Sequence, residues 1–176
     1  MQRFILTGAP GAGKTEIIRA LAAQGLATVP EAATDIIAEQ QAKGVDAPWT
    51  HASFVAQIAA LQERRIDAAT AALQFHDRSP ICTYALARHL DMPVPATLER
   101  LLDRIAAQKL LARRVFLVES LGFIENTAAR RIGLDEARRF GALHARLYTK
   151  LGYECVAVAP ASVEQRAEFV RAHAVA

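Results

Sequence analysis

The chain has 176 residues and a mass of 19.1 kDa, the size of one domain, which excludes a multidomain machine. Hydrophobic residues make up 52% and charged residues 22%, with a mean hydropathy of +0.13, so the chain can bury enough apolar surface to offset its entropy and wholesale disorder is excluded. The net charge is +3 and the pI about 9.1, with all but four of the 21 basic residues arginine, which suits anionic ligands, phosphates first, without by itself indicating nucleic acid.

Phe4-Ile5-Leu6 is too short for a core helix and is stopped by Gly8, so residues 3–7 are predicted as a buried strand. Helical spacing takes over from Lys14 to about Gln24. Residues 26–30 form a second short strand, and a helix follows from about Ala32 to Lys43, ended by Gly44. After Pro48, the spacing of Phe54, Ile58, Leu61, Ala69 and Leu73 predicts the longest helix, either single or a bent pair, opened by Trp49. Trp49 is expected to pack on the core, with lining of an acceptor pocket as the other option. Residues 73–76 read as a third strand. Ser79 is placed to cap a helix whose first turn tolerates Pro80 and which runs to about Leu90, and Pro93 and Pro95 break the chain before the next helix. Residues 115–118 are a fourth strand, 134–151 a long helix stopped by Gly152, 153–159 a fifth strand and 162–174 a last helix. Five short apolar strands alternating with helices predict a parallel sheet covered on both faces, with ligands at the carboxyl ends of its strands.

No apolar run approaches the roughly 20 residues of a bilayer-spanning helix, and the first residues enter a strand without a signal-peptide pattern, so a cytoplasmic protein without a membrane partner is expected. Cys82 and Cys155 lie far apart without CxxC or Cys/His spacing, which points to reduced thiols packed in the core. His51, His76, His89, His144 and His173 form no metal-spaced cluster and are taken as structural or exposed.

Gly8-Ala9-Pro10-Gly11-Ala12-Gly13-Lys14-Thr15 matches GxxxxGK[ST] in full, directly after a predicted strand and directly before a predicted helix. Glycines let such a loop wrap a polyphosphate so that backbone N–H groups point inward. The helix N-terminus adds positive potential, Lys14 reaches the β- and γ-phosphates, and Thr15 can ligate magnesium. A nucleoside triphosphate is therefore the expected ligand. The only asparagine is Asn126, so the NKxD guanine-reading motif of Ras-like GTPases cannot exist here, which favours ATP. Glu119 is followed by Ser120 instead of completing a DE pair, and no room remains for a helical subdomain, which disfavours a ring-forming remodelling ATPase.

Asp77 and Arg78 close the third strand, where an acid would face magnesium and an arginine the phosphates, although such pairs also occur as surface ion pairs. Glu31 ends the second strand. It can take a proton from a substrate hydroxyl, or simply complement a helix dipole. In the arginine-rich stretch Arg130, Arg131, Arg138, Arg139 and Arg146, positions 131 and 138, and 139 and 146, roughly share helix faces, a pattern usually solvated, and Arg130 is the first candidate to close on a triphosphate.

The phosphate loop, Val29-Pro30-Glu31-Ala32-Ala33, Phe75-His76-Asp77-Arg78-Ser79-Pro80, Glu119, Arg130, and the tail from Tyr148 through Leu151-Gly152-Tyr153-Glu154 to Pro160 and Arg166 together resemble a known family. It is the small AAA-type P-loop domain shared with the ribosylnicotinamide kinase half of the NadR regulator. The resemblance spans nearly the whole chain. It implies a nucleoside-kinase-like core with strand order 2-3-1-4-5, a base or substrate-binding acid at Glu31, and a mobile arginine-bearing lid at about residues 122–134. Thr127 departs from the pattern, because the family often carries an acid three residues before the lid arginine.

The leading function is thus an ATP-dependent phosphotransferase acting on a small hydroxyl-bearing, nucleoside-like metabolite, with ATP and Mg2+ as cofactors. In that reading Lys14 and the loop amides hold the phosphates, Thr15 and Asp77 organise magnesium, Glu31 activates the acceptor, and Arg130 with Arg78 neutralises developing charge. The alternative is a nucleotide-dependent switch or bare ATPase, in which Glu31 positions water and the lid reports to a protein partner. A nucleic-acid-processing ATPase is disfavoured for want of an aromatic-basic groove.

Overall fold

A computed structural model describes residues 1–120 and 133–175 of the chain. Its elements are β1 (Gln2–Gly8), α1 (Lys14–Ala23), β2 (Ala27–Val29), α2 (Ala32–Ala42), α3 (Phe54–Ala68), β3 (Leu73–Asp77), α4 (Pro80–His89), α5 (Ala96–Gln108), β4 (Arg114–Val118), α6 (Leu134–Lys150), β5 (Glu154–Val158) and α7 (Val163–Val175). All five strands are parallel in the order β2-β3-β1-β4-β5, which is the order the resemblance implies.

Strand alternation explains the two covered faces. Phe4 and Leu6 point to one side of the sheet, where they pack with Phe75, Phe116, Val118 and Ile17 of α1 and Val170 of α7. Ile5 and Val115 point to the other, among Ile66 of α3, Ile81 of α4, Leu101 and Ile105 of α5 and Tyr148 of α6. Strands buried on both faces need continuous apolar runs, as Phe4-Ile5-Leu6 supplies.

Local signals act as expected at α4, where the Ser79 hydroxyl accepts from the Ile81 N–H over 3.1 Å and Pro80 takes the first helical position. Two expectations are refined. The segment after Pro48 contains one helix, α3, because Ala69 turns extended at ψ 109° and the chain then enters β3. Trp49 does not open that helix; it sits in a preceding 3-10 turn, Pro48–Thr50, and packs half-buried on Ala32, Ile36, Ile37, Phe54 and Ile58. Cys82 is buried and Cys155 half-buried, both as free thiols.

Registers Leu6↔Asp77, Val29↔His76 and Gly8↔Val118 bring the carboxyl ends of β1, β2, β3 and β4 to one edge. The phosphate loop, Glu31, Asp77 and Arg78 all emerge there. Arg130, Arg131 and Thr127, with most of the expected lid, lie outside the described residues. Arg138, Arg139 and Arg146 are exposed, and Arg138 reaches Asp135 only at 3.7 Å, as a solvated face requires.

Candidate active site

The chain leaves β1 through Gly8, whose φ is +126°. A Cβ at Gly8 would stand 2.4 Å from the Val118 carbonyl oxygen, so no other residue fits. The loop then closes on itself, with the Ala12 N–H donating to the Ala9 carbonyl over 3.3 Å, and α1 starts where Ile17 N–H meets the Gly13 carbonyl at 3.2 Å. Pro10, Gly11 and Gly13 remain half-buried at the mouth, whereas Ala9, Ala12 and Lys14 are buried.

Lys14 folds back onto its own loop, its Nζ donating to the Ala9 carbonyl at 2.7 Å and the Gly8 carbonyl at 3.4 Å. Burial, seconded by the Arg78 guanidinium, lowers its pKa from 10.5 to about 7. Among the described residues this ammonium has carbonyl dipoles around it but no full counter-charge in hydrogen-bond contact, which is the electrostatic state a bound polyanion would complete.

The Thr15 hydroxyl donates to Asp77 Oδ2 over 2.7 Å, joining the first turn of α1 to the end of β3. Asp77 Oδ1 is buried without a hydrogen-bond partner among the described residues, an uncommon condition for a carboxylate oxygen. Burial first, and Glu31 second, push the Asp77 carboxyl above its usual range against the pull of Lys14 and Arg78. A hydroxyl and a carboxylate with an unused buried oxygen form an oxygen-only donor pair beside a phosphate loop, which fits a hard divalent cation such as magnesium.

Arg78 and Glu31, from the ends of β3 and β2, meet in an ion pair of 2.6 Å between Nε and Oε1. The other Glu31 oxygen accepts from the Thr34 hydroxyl at 2.7 Å. Burial would raise the Glu31 carboxyl, but the charges of Arg78 and Lys14 outweigh it and hold the group below its usual range. Arg78 itself has φ +71°, a left-handed conformation costly for a side-chain-bearing residue, and its N–H donates to the Leu6 carbonyl at 3.0 Å. From there its Nη1 reaches the Gly8 carbonyl at 3.3 Å. The guanidinium therefore faces the start of the loop and the Glu31 carboxylate together.

Three residues at the site were not singled out for a role in the sequence. Arg166 of α7 is 2% exposed and donates through Nη2 to the Ala12 carbonyl at 2.7 Å and the Glu119 carbonyl at 3.3 Å, backing the loop from beneath. Gly141 lets α6 approach the loop, since a Cβ there would stand 3.2 Å from both the Ala9 Cβ and N. His144 is fully buried and touches Arg78. A glycine inside a helical pattern is the only sequence signal among these that points to a close contact.

A parallel sheet of this strand order, with a glycine-rich loop between its first strand and first helix, defines a P-loop kinase fold. The chain belongs to an AAA domain family, whose model matches residues 3–166. A search of curated proteins by sequence finds no match. Among solved structures the chain is similar to deoxyadenosine kinase from M. mycoides with bound dATP, at TM-score 0.63 and 14% identity, covering 99% of this chain and all of that one. NadR in complex with NAD and AMP-PNP aligns at TM-score 0.65 and 16% identity over 99% of this chain, which spans only 50% of the NadR chain. Shikimate kinase from Acinetobacter baumannii in complex with shikimate aligns at TM-score 0.53 and 17% identity over 99% of this chain and 93% of that one. At these identities the likeness is one of fold.

Proposed function

We propose that the protein is an ATP-dependent phosphotransferase acting on a small hydroxyl-bearing acceptor, nucleoside-like first among the options. The observation that carries this reading is the Arg78–Glu31 pair. A carboxylate is held ionised beside the phosphate loop, yet apart from the Thr15–Asp77 pair, so the site has one acid suited to a cation and a second left for an acceptor. Similarity of fold to nucleoside and shikimate kinases supports it.

In this reading Lys14 and the loop N–H groups hold the triphosphate, and Arg166 keeps the Ala12 carbonyl turned away from it. Thr15 and Asp77 would hold magnesium, which when bound neutralises phosphate charge. Glu31 accepts the acceptor's hydroxyl proton. Its lowered pKa makes it a modest base, which suffices because phosphoryl transfer passes through a loose transition state with late proton loss. Arg78 orients the Glu31 carboxylate, and Arg130, outside the described residues, is assigned to compensating charge on the transferring group. The lack of any NKxD motif supports ATP over GTP.

A panel of nucleosides, vitamin precursors and sugars, assayed for acceptor-dependent ADP release, tests the proposal. Stimulation by one chemical class, with a phosphorylated product, is the expected result. A slow basal rate that no acceptor changes would instead assign the protein to nucleotide-dependent switches acting through a protein partner.

A further inference from the structure

His144 lies within α6, one turn after Gly141 and one turn before Tyr148. Two contacts hold this stretch of the helix. Gly141 abuts Ala9 of the phosphate loop, and the Tyr148 hydroxyl bonds the Ser79 hydroxyl at 2.6 Å. Between them the His144 ring is fully buried, with Nδ1 at 2.8 Å from the Phe140 carbonyl oxygen and Nε2 at 3.4 Å from Arg78 Nη1. A carbonyl can only accept, so Nδ1 carries the proton; a guanidinium can only donate, so Nε2 must present its lone pair. Both contacts select one state of the ring, the neutral Nδ1–H tautomer. Burial first and the Arg78 charge second disfavour the imidazolium against the opposing pull of the Phe140 carbonyl, with Lys14 and His89 contributing less in the same direction as Arg78.

The Arg78 guanidinium is thereby held from three directions, by Glu31 on its Nε and by the Gly8 carbonyl and His144 on its Nη1. Without His144, Arg78 would keep the Glu31 ion pair and the 3.3 Å contact of Nη1 with the Gly8 carbonyl but lose the acceptor on its third side, so the guanidinium would gain freedom to pivot about the Nε–Oε1 contact. We propose that His144 is a positioning residue: its Nε2 lone pair fixes the Arg78 guanidinium, and through it the direction in which the Glu31 carboxylate faces the acceptor. The kinetic part rests on the phosphotransferase reading; the geometric part does not.

Two side chains separate positioning from packing. In His144→Gln the amide oxygen can reach the Nε2 place and accept from Arg78, whereas His144→Leu fills similar space with no acceptor. The first measurement is by NMR on the protein without ligands. His144 should show a protonated Nδ1 and an unprotonated Nε2, and the Arg78 Nε–H should exchange slowly in the wild type and in His144→Gln but faster in His144→Leu. The second is kinetic. His144→Leu should lower kcat for transfer by about 10-fold or more, the scale of a small misalignment, while the triphosphate dissociation constant stays within about twofold. His144→Gln should recover most of that loss. A protonated Nε2 in the wild type overturns the inference, as does unchanged Arg78 exchange in His144→Leu. Equal loss of kcat in both variants, following their thermal stability, overturns it in favour of packing. Should no acceptor be phosphorylated, the phosphotransferase reading fails while the tautomer and exchange measurements still decide the role of His144.

Discussion

Thr15 and Asp77, separated by 62 positions in sequence, are joined by a hydrogen bond of 2.7 Å from the hydroxyl to Oδ2, while Asp77 Oδ1 has no partner among the described residues. The second oxygen costs stability in the free protein and is available for a cation. Asp77→Asn should therefore leave thermal stability without ligand unchanged or raised. Magnesium affinity of the triphosphate complex should fall by about 10- to 100-fold, the range seen for residues that organise a metal, and hydrolysis and transfer should fall together. Calorimetry and a magnesium titration check both halves; retained magnesium dependence would count against a metal role.

Glu31→Gln separates the two functional readings. It keeps the shape of the side chain but removes its charge and proton affinity. Transfer to an acceptor should fall by roughly 100-fold or more, the usual scale of general base catalysis, with triphosphate binding preserved and slow hydrolysis changed less. A switch ATPase predicts the reverse, with hydrolysis stopped and the triphosphate trapped.

Lys14 makes triphosphate binding depend on pH. Its lowered pKa of about 7 means that the free loop carries the lysine charge below that pH and loses it above. A bound polyanion favours the ammonium, so binding at pH 8 should take up about one proton per site and binding at pH 6 almost none. Affinity should fall as pH rises from 7 to 9. Titration calorimetry in buffers of different ionisation enthalpy reads the proton count. Lys14→Ala should abolish the uptake and cost on the order of 2 to 5 kcal/mol of binding, as for loss of a buried charge contact.

Gly141 marks a close approach of α6 to the phosphate loop. With a would-be Cβ 3.2 Å from the Ala9 N and Cβ, Gly141→Val forces either the helix or the loop to move. Overpacking of this kind costs about 1–3 kcal/mol of stability. Because the crowding falls on Ala9, triphosphate affinity should drop as well. Gly141→Ala, whose helix propensity gains up to about 1 kcal/mol, should be milder in both. Unchanged triphosphate affinity in Gly141→Val would show that the loop does not feel the helix.

His76 supplies an acid-sensitive element of stability. Burial, with Arg3 nearby, lowers its pKa from 6.5 to about 4, and its Nε2 lies 3.0 Å from the Gln74 side-chain oxygen. Between those pH values the unfolded chain binds a proton that the folded chain does not, so stability is lost as pH falls from 6.5 toward 4. The loss attributable to this group is about 3 kcal/mol. Urea midpoints at pH 7 and pH 4.5 should differ less in His76→Asn than in the wild type.

Features that depend on neighbours along the chain are legible in the order of residues. The apolar run Phe4-Ile5-Leu6, the glycines and Lys14-Thr15 of the loop, and the Ser79-Pro80 helix start each act over a few residues, where backbone sterics and local hydrogen bonds decide the outcome. The acids and arginine at the strand ends, Glu31, Asp77 and Arg78, were likewise legible, because parallel strands deliver their carboxyl ends to one edge. Tertiary structure alone decided who pairs with whom. The sequence points Arg78 to phosphates and Glu31 to an acceptor, and neither reading contains their ion pair, which depends on β2 lying beside β3 in register Val29↔His76. His144, one of five histidines with no motif around it, reaches Arg78 only because α6 packs close enough for Gly141 to touch Ala9. Arg166 acquires its place under Ala12 across 154 positions of sequence through the packing of α7 on α1. Contacts of that separation are set by strand register and helix packing, which arise from burial of the whole core and leave no trace in the spacing of the residues that use them.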